Sequence, residues 1–244
     1  MLIVFTLTFI ALTAFIVLER RHRQFRRSLL AGLIASTLGL SACETVMIGA
    51  LNMAEMTQLE VKGDTLYVAN LLNSQTFDQM RAVIGDNPQV KTLVFTAMEG
   101  SIDDETTFAM GRWIREQGLN THLTARSVIA SGAVDLYLSG SHRTMERGAM
   151  IGVHSWSDGS KEAADYPRDS KEHALNRDYI IAMGVPEDFY WFTIYEAPAD
   201  AIHWMSEPEV LKYQLPTTAI SNDDTSGAII FDNFEEMRAE ILED

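Results

Sequence analysis

The sequence predicts an α/β protein with a mainly parallel sheet, preceded by an N-terminal signal or anchor segment. Three observations predict it. Short β-branched and apolar runs alternate with amphipathic helical patterns between residues 64 and 154, the spacing of right-handed βα crossovers. Apolar residues make up 47% of the 244, ample for a buried core. The first 43 residues instead read as apolar runs around a basic one, the pattern of targeting and not of packing.

The elements follow in order. "DTLYVANLL" (64–72) and "VKTLVFTA" (90–97) are short enough for buried strands. Between them, "SQTFDQMRAVIGDNP" predicts a helix that opens on a cap at Ser74 and stops at Gly85, Asn87 and Pro88. "DDETTFAMGRWIREQG" (103–118) predicts another, with acids in its first turn, Phe108, Met110, Trp113 and Ile114 at helical spacing, and Gly118 at its end. "NTHLTA" (120–125) reads as a third strand, "SGAVDLYLSG" (131–140) as a short buried helix and "GAMIGVH" (148–154) as a fourth strand. Residues 163–197 predict two helices parted by Gly184-Val185-Pro186, and residues 206–213 a last short one. Tyr179, Phe189, Tyr190, Trp191, Phe192 and Tyr195 crowd the first of these stretches, as core side chains with some lining a subunit interface or a substrate groove.

The leader divides into "MLIVFTLTFIALTAFIVL", "ERRHRQFRR" and "SLLAGLIASTLGLSAC". The last piece has the cationic start, apolar middle and small-residue end of a bacterial export signal. Its final tetrapeptide, Leu40-Ser41-Ala42-Cys43, resembles the lipobox of bacterial lipoproteins, in which the cysteine is lipidated and becomes the first residue of the mature chain. Cys43 is the only cysteine, so it forms no intramolecular disulfide. Met1 to Leu18 is long enough to span a membrane, and two accounts stay open: a true span before a second anchor, or a start upstream of the true one. The leader from Arg20 to Cys43 is complete by itself, which favours the second. The expected organisation is residues 1–43 as signal or anchor and 44–244 as one α/β domain, placed on the periplasmic side of a bacterial envelope and tethered by lipid or helix.

The net charge is −15, although residues 1–43 contribute five arginines against Glu19 alone; the remainder holds 14 basic and 33 acidic residues, a net charge of −19. Nucleic acid and anionic lipid surfaces are repelled by such a body. No GxGxxG, Walker A or HExxH pattern occurs. The histidines at 122, 142, 154, 173 and 203 lack ligand spacing, so neither a metal nor another cofactor is expected.

Two residues invite a chemical reading. Ser131 stands between Ala130 and Gly132 at a strand-to-helix turn, where unpaired N–H groups and the helix dipole favour an oxyanion; taken alone it reads better as a cap, since capping serines far outnumber nucleophiles. His154 ends an apolar run, and a serine hydroxyl needs such a base before it becomes a nucleophile. The order of elements and three motifs over residues 64–220 resemble the ClpP/crotonase superfamily, with its ββα repeats and oxyanion hole, and more closely its Clp serine-peptidase branch. "ASGA" (130–133) matches the nucleophile turn, His154 falls near the family's spacing from it, and "MEGSIDDE" (98–105) stands where the family carries a Pro-Gly-Gly-type turn.

That resemblance implies Ser131 as nucleophile, His154 as base, and the N–H groups of Gly100 and Gly132 as the oxyanion hole. Glu99 departs from the family's first glycine and Gly100 alone is retained; as a turn residue Gly100 is also explained by its backbone freedom. "HWMSEPEVLKYQL" (203–215) resembles the family's C-terminal segment, whose strict acid position falls on Ile202; Asp200 is the nearest candidate to orient His154, with Asp158 as fallback, and a base oriented by a carbonyl alone is the alternative. The implied function is an exported, tethered, ATP-independent serine peptidase acting on peptides or unfolded segments and assembling as a homo-oligomer through the helices after the histidine. The alternatives are a catalytically inactive scaffold lipoprotein and a crotonase-type acyl-CoA enzyme.

Overall fold

The computed structural model describes residues 56–226, so Cys43 and the boundary expected after it lie outside the described residues. The chain enters through a hairpin of β1 (Gln58–Lys62) and β2 (Thr65–Ala69), turned at Gly63, and continues through α1 (Thr76–Asp86), β3 (Thr92–Met98), α2 (Asp104–Glu116) and β4 (Asn120–Ala130). After α3 (Gly132–Leu138) come β5 (Arg143–Met145) and β6 (Met150–Val153), then two 3-10 turns, α4 (Ala174–Ala182), α5 (Glu187–Glu196), β7 (His203–Trp204) and α6 (Glu207–Lys212). The sheet order is β1-β2-β3-β4-β6-β7, with β5 beside the first half of β4. β2, β3, β4, β5 and β6 pair in parallel, while β1 and β7 join antiparallel at the two edges. This is the mainly parallel α/β architecture that the sequence predicts. Among the described residues no helix is long and apolar enough to cross a membrane.

Local chemistry accounts for the elements. The interior strand β3 is buried along nearly its whole length, as a two-sided apolar run must be. Asp103 caps α2 by accepting from the Thr106 N–H at 3.0 Å, and Asp104 and Glu105 favour the positive end of its dipole. Helix α1 opens at Thr76, two residues after the expected cap, because the Asn73 side chain takes the Gln75 N–H and the Thr76 hydroxyl accepts from the Asn73 N–H. Residues 163–173 contain only 3-10 turns at Ala163–Asp165 and Lys171–His173, so the first of the two expected helices starts later, at Ala174.

One irregularity positions the site. β4 runs past Ala125 to Ala130, and its register against β3 shifts between Phe95 and Ala97, where Leu123 and then Val128 stand opposite. The intervening residues loop out and are tied back: the Thr124 N–H donates to the Ser127 hydroxyl and that hydroxyl to the Phe95 carbonyl at 2.5 Å. Such a bulge re-aims a strand. Beyond it Ile129 pairs with Met98 on one side and Ile151 on the other. Three parallel strands therefore end within two residues of one level, and the segments after Met98, Ala130 and Val153 leave the sheet side by side at its carboxyl edge, the edge where open α/β sheets place ligands.

Candidate active site

Those three segments bring Gly100, Ser131 and His154 together. Ser131 and His154 line one cavity of about 310 Å³ with Ser101, Gly132, Trp156 and Tyr190 among its walls. The Ser131 N–H donates to the Gly152 carbonyl at 3.0 Å, pinning the turn against β6. Gly100 approaches so closely that a Cβ there would lie 2.9 Å from the Ser131 Cβ and 3.4 Å from its hydroxyl, and it holds φ 138°.

The backbone of Ser131 separates the two readings of this residue. A capping serine has extended φ and ψ and accepts an N–H of the first helical turn. Ser131 precedes α3 with φ 54° and ψ −132° and its side chain makes no capping hydrogen bond. Side chains rarely adopt this conformation, and holding one there costs about 1–3 kcal/mol. The hydroxyl is bonded to no described residue. Likewise, neither the Gly100 nor the Gly132 N–H donates to any described acceptor, although both residues are buried. Buried N–H groups are nearly always paired.

His154 is oriented by its own chain. Its Nδ1 lies 2.6 Å from the Ser155 carbonyl, which can only accept, so Nδ1 carries the proton and Nε2 of the neutral ring keeps a lone pair. The Ser155 N–H in turn donates to the Ala197 carbonyl at the end of α5. No hydrogen bond joins His154 to Ser131. Asp200 is not brought to the histidine: it is exposed in the turn after α5, makes no hydrogen bond to His154 and does not line the cavity. The antiparallel ladder explains the gap. Val153 pairs with His203, so the next position along faces His154 with Ile202, whose side chain packs towards Gly152. Asp158 also lies elsewhere, held by the Tyr166 hydroxyl, Ser160 and the Lys161 N–H in its own loop, which keep its carboxyl below the usual range. Glu99 is exposed and outside the cavity wall.

Two wall residues escape a sequence reading. Asp135 lies in the first turn of α3 and Asp104 at the start of α2, and both line the cavity. Burial, then the charge of Asp104, holds the Asp135 carboxyl well above the ordinary range. Burial also raises Asp104, followed by the charge of Asp103, while His154 pulls it down. The available signal was an acid inside the otherwise apolar "SGAVDLYLSG", for which a buried helix has no use. Behind the wall, buried His173 accepts from the Tyr190 hydroxyl at 2.6 Å and donates from Nε2 to the Pro167 carbonyl at 3.1 Å, and the Trp156 indole donates to the Tyr190 hydroxyl at 3.0 Å.

No family description and no curated protein matches the chain. Solved structures of similar fold include the 1510-N membrane-bound stomatin-specific protease, S97A mutant, with 15% identity, 67% of this chain and 82% of that one covered, and a TM-score of 0.46. They also include an enoyl-CoA hydratase from Polaromonas sp. JS666, with 11% identity, 76% of each chain and a TM-score of 0.47. Human enoyl Coenzyme A hydratase domain-containing protein 3 matches with 10% identity, 78% of this chain and 76% of that one, and a TM-score of 0.46.

Proposed function

We propose that the protein is a serine hydrolase of the peptidase type, with Ser131 as nucleophile, His154 as general base and the N–H groups of Gly100 and Gly132 as oxyanion hole. The strained, unbonded Ser131 carries this reading. A structural serine has no reason to hold a glycine-like conformation, whereas a nucleophile must present its hydroxyl clear of its own backbone.

In the reaction His154 Nε2 takes the hydroxyl proton as Ser131 Oγ bonds to the acyl carbon. The carbonyl oxygen becomes negative against the two amides. The proton then passes to the leaving group as its bond to the acyl carbon breaks, and water repeats the sequence to release the acid. The Ser155 carbonyl supports the imidazolium through Nδ1–H, the role expected of Asp200. A fluorophosphonate probe tests the assignment: it labels the wild type, fails on Ser131→Ala and labels His154→Ala far more slowly. An unlabelled wild type would favour the scaffold alternative. We extend the proposal to export and lipid tethering at Cys43, tested by acyl labelling of wild type against Cys43→Ala in a bacterial host; equal labelling rejects it.

A further inference from the structure

The cavity at Ser131 carries acids without a fixed cation. Half-buried Asp135 and the exposed Asp104 stand on its wall with His154, and no lysine or arginine does. The Asp135 backbone carbonyl accepts from the Tyr179 hydroxyl at 2.8 Å, whereas its carboxyl has no hydrogen bond or ion pair with any described residue. The nearby arginines are engaged elsewhere, Arg115 by the carbonyls of Leu138, Ser139 and Met183 and Arg112 against the Tyr179 ring. A poorly solvated acid without a counter-ion is costly. The charge of Asp104 raises that cost by making ionisation of Asp135 harder, as Asp103 does for Asp104. On the same wall Trp156 and Tyr190 offer aromatic surface, which suits the stem or the planar head of an organic cation.

We infer that this cavity selects substrates carrying a cationic side chain, lysine or arginine, on the residue whose acyl carbon Ser131 attacks. The inference rests on the nucleophile assignment above for its geometry and on Asp104 and Asp135 for its chemistry. An ammonium or guanidinium supplies the charge that the wall lacks, whereas phosphate-bearing thioesters and acidic peptides bring a third negative charge to two carboxyls. Binding a cation favours ionised Asp135, so binding releases a proton and the preference strengthens as pH rises.

Three fluorogenic peptide amides that differ only in arginine, leucine or glutamate before the scissile bond, assayed with the full chain, test the preference. Arginine should exceed leucine at least tenfold in kcat/KM and glutamate by more; Asp135→Asn and, separately, Asp104→Asn should each lower the arginine-to-leucine ratio by about tenfold. Equal rates for arginine and leucine overturn the inference while leaving the hydrolase intact. A binding measurement separates the two claims where nothing is turned over. In the Ser131→Ala chain, benzamidine should bind by calorimetry while benzyl alcohol and benzoate do not, and adding Asp135→Asn should weaken it about tenfold. Benzamidine binding without any fluorophosphonate labelling of the wild type keeps the cation site and rejects the hydrolase; failure of benzamidine to bind, or equal binding of benzoate, rejects the cation site.

Discussion

β4 carries two polar centres that the fold treats in opposite ways. At its bulge, Glu146 is 2% exposed and fully engaged: it accepts from the Ala125 N–H at 2.7 Å and from the Thr225 N–H and hydroxyl at 3.1 and 2.6 Å, and pairs with His122 at 3.4 Å. At its end, Ser131 has an unbonded hydroxyl, a strained backbone and unpaired amides for neighbours. The first centre fastens residues 221–226 to the sheet. The second leaves its hydrogen-bonding capacity open, which stabilises nothing until a ligand arrives. Satisfied polar groups mark architecture here, and unsatisfied ones mark the place where chemistry is proposed.

Five substitutions or conditions break or sharpen that contrast, from the largest effect to the smallest. Ser131→Ala should lower hydrolysis by roughly 10⁴–10⁶-fold without loss of fold, read by rate and circular dichroism. Gly132→Ala brings a Cβ within 2.5 Å of the Ser101 Cβ and should displace one amide donor, costing about 10²–10³ in kcat. Glu146→Ala, which strands two backbone donors, should cost about 3 kcal/mol in denaturant unfolding and leave the fluorophosphonate rate of the folded protein within a few-fold.

Ser131→Gly should do the reverse of Glu146→Ala, abolishing labelling while raising stability. Relief of about 1–3 kcal/mol of strain outweighs the flexibility that glycine adds to the unfolded chain, and a net gain of about 1 kcal/mol raises Tm by about 2–4 °C. A Ser131→Gly chain no more stable than the wild type would remove strain from the argument. The smallest effect belongs to His122, which burial holds below its ordinary value against the pull of Glu146. Its folded form binds fewer protons than the unfolded one, so its contribution is complete above about pH 6.5, the unfolded value, and is lost as pH falls through the depressed folded value. His122→Gln should flatten that part of the stability profile.

Much of this was legible in the chain itself, and the exceptions have physical reasons. β2, β3 and β6 announce themselves as apolar runs, and the first half of β4, "NTHLTA", as a short segment with the buried Thr121 and Leu123 two residues apart. Its second half is disguised by Arg126 and Ser127, polar residues that a bulge accommodates and a regular strand would not. β1 is an edge strand with "QLEVK" exposed or half-exposed throughout, and β5 and β7, at three and two residues, are too short for any periodicity. The grouping of Ser131, His154, Gly100 and Gly132 was implied by the resemblance of "ASGA", "MEGSIDDE" and the spacing of His154 to the Clp-peptidase motifs, and each of these stretches follows a strand that can be recognised. The orienter of His154 could not be read, since a backbone carbonyl is present at every residue and only the fold selects Ser155. Asp104 stayed hidden because an acid in a first turn is already explained by the helix dipole.

The position of Trp156 has a consequence for observation. Its indole is half-buried on the cavity wall and its N–H is fixed to the Tyr190 hydroxyl, which buried His173 holds from behind. Only 4 tryptophans occur in the chain, and among the described ones Trp113, Trp191 and Trp204 lie outside the cavity lining. The cavity thus contains its own fluorophore. Occupancy that strips water from this indole moves its emission to shorter wavelength, so filling of the site can be followed in unlabelled protein by light alone.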